Sequence, residues 1–229
     1  QNEYRQALQN SNILSDFSFL IGDAGTKGHL FYNQSGKINN FTNFQLNFQN
    51  VKGDNFLKTH NLIETSNLID NDSLLVSNLD LDFNFSEASL TSSFKIFEDL
   101  SRNNNDRYQY ILPDFNFTRD IAIPKNYDGN FKFNSYGYNK LYDTNVKESV
   151  VTNDFLFSSN EFISSYGLVT DYDLLLKNSN NYSSNSSLFE DNFNYNLFGI
   201  IKVDTSLPLQ KKVDDYTHYL KPILSFRYS

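Results

Sequence analysis

The sequence predicts an all-β protein built from antiparallel strands, and three observations support this fold class. Residues 78–85 read N-L-D-L-D-F-N-F, so apolar and polar side chains alternate without exception. A period of two is typical of a β-strand with one apolar and one polar face. The alternation recurs along the chain, with almost no helical periodicity. Carboxylates occupy the polar face, where a soluble β-sandwich would be apolar, and this favours an antiparallel transmembrane β-barrel.

The composition is compatible with such a fold. Only 39% of the 229 residues are hydrophobic, which is little for a chain built around one large conventional core. Aromatic residues are abundant, with 22 Phe and 15 Tyr. Large rings suit a lipid-facing surface with Tyr near the headgroups, but aromatic-rich soluble sandwiches also exist. Composition alone leaves the barrel and the sandwich open.

Residue content also disfavours several function classes. The formal net charge of −8 argues against nucleic-acid partners, because a phosphate backbone is bound by concentrated basic surfaces. Without Cys, the sequence forms neither disulfides nor thiolate metal sites. No apolar run approaches the ~20 residues of a transmembrane helix, so a membrane form has to be a barrel. We expect no cofactor.

Alternating segments locate the strands. Phe44, Leu46 and Phe48 alternate with polar neighbours, the second cleanest pattern after residues 78–85. Residues 74–85 and 89–97 are predicted to pair as a hairpin. With ~9–11 residues per strand, a sequence of this length supplies about ten to twelve strands of a partial barrel.

Less regular segments are predicted to connect the strands. We expect residues 57–73 to form a loop or a bulged strand, and the Ser- and Asn-rich residues 179–187 to form an exposed loop. The last predicted pair of strands flanks residues 211–215. Pro208 and Pro222 are expected at the start of a strand or at a bulge.

Six phrases of the sequence carry more information than the alternation. They are Glu3-Tyr-Arg-Gln, Asp54-Asn-Phe-Leu-Lys-Thr-His-Asn-Leu, Phe97-Glu-Asp-Leu, Arg107-Tyr-Gln-Tyr-Ile-Leu-Pro, Ser206-Leu-Pro-Leu and Tyr219-Leu-Lys-Pro-Ile-Leu-Ser-Phe-Arg-Tyr-Ser. In content and order they resemble the barrel of LptD, the lipopolysaccharide-assembly family, and the Arg107 phrase is the most specific. The Asn- and Lys-rich composition suggests an alphaproteobacterial source with an AT-rich genome.

The resemblance implies a transport function in the outer membrane of a Gram-negative bacterium. Members of this family insert lipopolysaccharide into the outer leaflet of that membrane, and we expect no enzymatic activity. The implied partners are lipopolysaccharide, outer-membrane lipid, a periplasmic Lpt bridge and an LptE-like lipoprotein plug inside the lumen. The family's barrel opens laterally between its first and last strands.

The resemblance also sets an expectation for domain organisation. Residues 1–229 are expected to form part of one outer-membrane β-barrel domain. The periplasmic jelly roll, which takes the lipid from the bridge in this family, is expected to be absent, as are the remaining strands of so large a barrel. We therefore interpret the sequence as the amino-terminal part of the barrel domain.

The candidate functional residues lie on the polar faces of the two cleanest strands. We expect this set to line a hydrophilic lumen that accommodates lipopolysaccharide sugars and the plug protein. Its members are Asn43, Gln45, Asn47, Asn78, Asp80, Asp82 and Asn84.

The sequence contains residues for two other kinds of site. Asp80 with Asp82, and Asp171 with Asp173, each project from one strand face, as a general acid/base pair or a weak divalent-cation site requires. A solvated lumen wall explains these carboxylates equally well and is favoured, since no metal-ligand spacing surrounds them. The three His residues are scattered without a zinc motif, and a hydrolase would need one of them to meet an activated Ser.

Two other functions use similar sequence features. A general porin or other passive outer-membrane channel needs the same strands but no plug and no jelly roll. A soluble, aromatic-rich β-structured adhesin or binding module needs neither a membrane nor a lumen. The full reading frame around these residues distinguishes a porin from a lipopolysaccharide exporter, because a long β-rich periplasmic domain favours the exporter. Solubility of the chain without detergent favours the adhesin or binding module.

The predicted facing of residues 78–85 is testable with spin labels. Labels at Leu79 and Leu81 are expected to be more accessible to lipid-soluble oxygen than labels at Asp80 and Asp82, because the apolar side chains face the bilayer. Power-saturation electron paramagnetic resonance measures this difference. Higher oxygen accessibility at the two Asp positions would show that the assigned faces are reversed.

Overall fold

The computed structural model of this chain describes residues 1–23, 25–123, 128–143 and 145–229, without the side chain of residue 105. Almost all regular structure in these residues is β-strand. The strands are β1 (Asn2–Ala7), β2 (Ser11–Gly22), β3 (Gly25–Asn39), β4 (Thr42–Lys52), β5 (Leu74–Asn84), β6 (Ala88–Asp99), β7 (Tyr108–Ile121), β8 (Gly129–Tyr142), β9 (Val146–Ser159), β10 (Phe162–Ile163), β11 (Val169–Ser184), β12 (Phe193–Ser206), β13 (Leu209–Val213), β14 (Tyr216–Leu220) and β15 (Ile223–Tyr228).

Helical structure is confined to three short segments of the described residues. They are the four-residue α-helix α1 (Phe56–Thr59) and the 3-10 helices Leu62–Glu64 and Asn105–Arg107. In the described part of the chain, no helix is both long enough and apolar enough to span a membrane.

The described strands form an antiparallel meander, in which consecutive strands pair with each other. Twelve strands follow one hydrogen-bonded path in the order β1-β2-β3-β4-β5-β6-β7-β8-β9-β11-β12-β15. β10 pairs with β11 beside this path, and β13 and β14 form a separate two-stranded sheet. The predicted all-β antiparallel class is confirmed, and the path reaches the upper end of the expected strand number. Among the described residues the path is open, since it starts at β1 and ends at β15.

The chain divides into two compact units. The first comprises Gln1–Phe117, Tyr136–Val151 and Asn181–Asn194, and the second comprises Thr118–Ser135, Thr152–Asn180 and Tyr195–Ser229. The buried hydrophobic cluster lies in the first unit. The second unit contains the β13 and β14 hairpin, whose residues are all exposed.

The structure confirms the predicted hairpin of β5 and β6 and corrects two loop predictions. The predicted loop at residues 179–187 is wrong up to Ser184, because β11 continues to that residue. Ser183 is buried there, and its backbone N–H and hydroxyl donate to the carbonyls of Asn192 and Glu190. A polar tract can therefore continue a strand when its hydrogen-bonding groups find partners.

The last part of the chain contains an additional pair of strands, β13 and β14. Residues 211–213, expected between two strands, belong to β13. Pro208 lies between β12 and β13, and Pro222 lies between β14 and β15. Leu207 N–H donates to the Pro222 carbonyl at 3.1 Å. Since proline has no N–H for a ladder, its position at this interruption agrees with the prediction.

The register of β4 and β5 sorts their side chains onto two unlike faces. Phe44 lies opposite Leu81 and Leu46 opposite Leu79 on one face. The same register continues to β6, where Leu79 lies opposite Phe94. None of these five side chains is buried, so no second layer of described residues covers this apolar face.

The buried core forms where a connecting segment folds onto the sheet. We call residues 53–73, between β4 and β5, the cap segment. It begins at Gly53, whose φ of +99° lies in the region that favours glycine. The cluster includes residues of the cap segment, of strands β3 to β5 and of the connection after β6: Phe31, Val51, Phe56, Leu57, Leu62, Ile69, Leu75 and Leu100. Residues 57–73, expected to form a loop or a bulged strand, form a connection without a strand, but they include part of α1, the 3-10 helix Leu62–Glu64 and an unpredicted core.

Truncation of a cap side chain tests the importance of this core. Leu57 is fully buried, so Leu57→Ala is expected to lower the free energy of unfolding by about 2–5 kcal/mol. Ile63 lies in the same segment with 39% of its surface exposed, and Ile63→Ala is expected to cost about 0.5 kcal/mol. Denaturant unfolding of the two variants measures the difference. Equal losses would show that the cluster contributes little to stability.

Candidate functional site

The strand register brings six of the seven predicted lumen residues into cross-strand pairs. Asn43 lies opposite Asp82, Gln45 opposite Asp80, and Asn47 opposite Asn78. The seventh, Asn84, lies opposite Ser89 of β6. Directly opposed residues of an antiparallel pair share one face, so the set forms a continuous polar surface. That this surface faces a lumen stays a prediction.

Hydrogen bonds within this polar surface orient the Asp80 carboxylate. Asn78 Nδ2 donates to Asp80 Oδ2 at 2.5 Å, and the Ser93 hydroxyl donates to Asp80 Oδ1. Asn47 Nδ2 donates to the Val76 carbonyl at 2.9 Å. Asp82 is exposed. Amides and carboxylates in this arrangement offer donors and acceptors to a hydroxyl-rich ligand.

The backbone pairing of β4 with β5 ends at Asn47 and Asn78, and side chains bridge the strands beyond that point. The Ser77 hydroxyl accepts from Gln49 N–H at 3.0 Å, and Val76 N–H donates to Gln49 Oε1 at 2.8 Å. Gln49 Nε2 donates to the Leu68 carbonyl of the cap segment at 3.0 Å. Gln49 therefore ties the cap segment to both strands where they separate.

The structure gives no support to a metal site at the paired carboxylates. Among the described residues, no group of three or more His, Cys, Asp or Glu side chains is placed to hold a metal ion. Asp173 lies 3.9 Å from Lys202 Nζ. The interpretation of these carboxylates as a solvated lumen wall stays a prediction.

A forked ion pair joins the cap segment to β6 and to the segment before β7. Arg107 Nη1 lies 2.9 Å from Asp54 Oδ1, and both Nη2 and Nε lie 2.8 Å from Glu98 Oε1. The Tyr108 hydroxyl donates to the same Glu98 oxygen at 3.1 Å. We call Asp54, Glu98, Arg107 and Tyr108 the arginine junction.

The two carboxylates of the arginine junction are better matched by the guanidinium of Arg107 than by a lysine ammonium. The Arg107 side chain is 16% exposed. Burial lowers its pKa, but hydrogen bonds with Asp54 and Glu98 outweigh this and raise the pKa above the ordinary value, so the group stays charged. The planar guanidinium reaches two carboxylates at once, which the point charge of a lysine does not match.

The arginine junction is also the place where three of the six sequence phrases meet. Asp54 opens the second phrase, Glu98 belongs to the third, and Arg107 opens the fourth. Leu57 and Leu100, from the second and third phrases, lie in the same buried cluster. These three phrases are therefore not independent features, since each supplies part of the same group of contacts.

A buried polar group lies beneath the cap segment. His29 Nε2 is 3.3 Å from Asp16 Oδ1, and its Nδ1 is 2.8 Å from the Ser18 hydroxyl. His29 is 5% exposed and Asp16 is 1% exposed. The imidazole ring packs against Phe31 and Phe56, with centroid distances of 5.0 and 6.2 Å.

This group combines a hydroxyl, an imidazole and a carboxylate, as a hydrolase would require, and no pattern in the sequence predicts that these three residues meet. The closed packing of His29 under Phe56 favours a structural anchor, because a reacting Ser needs an accessible base. Asp16 Oδ2 also accepts from Gln1 Nε2 at 2.8 Å, which ties the group to the start of the chain. A period-two pattern could show only that Asp16 and Ser18 share a face.

No protein-family model matches this chain, and no curated protein matches it.

The contribution of the arginine junction is testable against a matched control. Arg107→Gln is expected to lower the free energy of unfolding by about 1–3 kcal/mol, because charge-assisted hydrogen bonds to two carboxylates are lost. Arg102 lies in the same connection and pairs with Asp99 and Asp143 at the surface. Arg102→Gln is expected to cost about 0.5 kcal/mol. Thermal or denaturant unfolding compares them, and a larger loss at Arg102 would contradict this assignment.

Proposed function

We propose that this chain forms part of the wall of an outer-membrane β-barrel of the LptD type, which inserts lipopolysaccharide into the outer leaflet. The observation that carries this proposal is the division of β4 and β5 into one apolar and one polar face, with no layer of described residues over the apolar face. An isolated sheet with this division needs lipid on one side and water on the other. The sequence phrases then favour lipopolysaccharide export over other barrel functions.

Exposed apolar side chains support lipid contact on one face. Phe17 lies opposite Leu30, which lies opposite Asn50, and Phe48 lies opposite Tyr32. By strand alternation these residues share the face of Phe44 and Leu46. Phe17, Leu30 and Phe48 are all exposed. A water-facing surface of this kind would promote association, whereas hydrocarbon would cover it.

The polar face supports contact with sugars and with a plug protein. Its amides present donors and acceptors, and Asp80 and Asp82 add negative charge. The cap segment packs onto this same face, since Phe31 and Val51 share it with Asn47 by the register of β3 and β4. In the proposed barrel, the lumen therefore contains a fixed part of the chain as well as an LptE-like lipoprotein.

Site-specific photocrosslinking in the full-length protein tests this function. A photoreactive amino acid at Gln45 or Asp80 is expected to form lipopolysaccharide adducts that disappear when the periplasmic bridge is depleted. The same probe at Phe44 or Leu81 is expected to form membrane-lipid adducts that do not depend on the bridge. Immunoblotting against lipopolysaccharide measures both.

The outcomes separate the proposed function from the porin alternative. A passive channel gives no bridge-dependent adduct at any of the four positions. Lipid adducts at Gln45 and Asp80 with none at Phe44 and Leu81 would overturn the assignment of the two faces.

A further inference from the structure

The first strand is the least protected strand of the first unit. All six residues of β1 are exposed, and among the described strands it pairs only with β2, from Asn2 opposite Phe17 to Ala7 opposite Asn12. An edge strand of six residues, held on one side, is expected to open more readily than the longer strands that follow.

Two contacts from the cap segment reach the start of the chain, where β1 begins. Asn67 Nδ2 donates to Glu3 Oε2 at 3.3 Å, and Gln1 Nε2 donates to the Thr65 carbonyl at 3.4 Å. Gln1 also reaches the buried Asp16 carboxylate. Glu3 pairs with Arg5 in its own strand as well, so its carboxylate is shared between β1 and the cap segment.

The opposite end of the cap segment is held at the arginine junction through Asp54. Between Asp54 and Thr65, the segment runs through Phe56, Leu57 and Leu62, all buried in the cluster. A closely packed cluster moves as a unit, because its side chains lose contacts when one shifts alone. A displacement at Asp54 is therefore transmitted toward Thr65 and Asn67.

We propose that the cap segment is a clamp that couples the arginine junction to β1. When Arg107 holds Asp54, the cap segment stays seated and its contacts keep β1 paired with β2. When the arginine junction opens, the segment loosens and β1 exchanges more freely between paired and unpaired states. This coupling rests on contacts within the first unit and does not depend on the proposed transport function.

Hydrogen exchange of the full chain, read by mass spectrometry, tests the coupling. Arg107→Gln is expected to accelerate exchange about tenfold in both the cap segment and β1, since local opening sets the rate. Arg102→Gln is the matched control and is expected to change neither. Asn67→Asp places a charge against Glu3 and is expected to accelerate β1 alone. Peptides from β5 and β6 report on global stability.

A cross-link keeps the test decisive if Arg107→Gln loosens the whole unit. The chain has no Cys, so Glu3→Cys with Asn67→Cys introduces a unique pair for a short bis-maleimide. Added to Arg107→Gln, the cross-link is expected to restore slow exchange in β1. The proposal is overturned if Arg107→Gln accelerates the cap segment but leaves β1 unchanged, or if the cross-link fails to restore β1 protection.

Discussion

The contact of Arg107 with Asp54 and Glu98 is the constraint on which the first unit depends. It fixes the start of the cap segment against β6, and the hydrophobic cluster forms beside it. Each partner comes from a different part of the chain, so the contact exists only when the meander has brought those parts together. A forked guanidinium meets this geometric demand because its donors are planar and point to two acceptors at once.

A sheet without a covering layer has to obtain its rigidity elsewhere. On the apolar face of β4 and β5, Phe44, Leu46, Leu79 and Leu81 are only partly buried, so the ladder and the cross-strand pairs hold this part of the strands. Among the described residues, the buried hydrophobic cluster consists of cap-segment residues, of strand residues beneath them and of Leu100 after β6. This explains why His29 is buried in β3, since Phe56 of the cap segment packs against its ring.

Much of the strand pattern could be predicted from single residues and their neighbours. The hairpin of β5 and β6 followed from alternation, which depends only on the direction of successive side chains. Residues 179–187 were expected to form a loop because Ser and Asn are common in loops. Ser183 remains in β11 because distant carbonyls accept its hydrogen bonds, and no local pattern reveals those partners.

By itself, the sequence determined the strand class and the two unlike faces of residues 78–85, and it contains the phrases on which the proposed function rests. These properties are local, because the period of two and the phrases can be read along the chain. Only the tertiary structure decided that Arg107 meets Asp54, that Ser18 meets His29, and that the cap segment contacts Glu3. Such contacts depend on strand register and on the path of a long connection, which composition and periodicity do not specify.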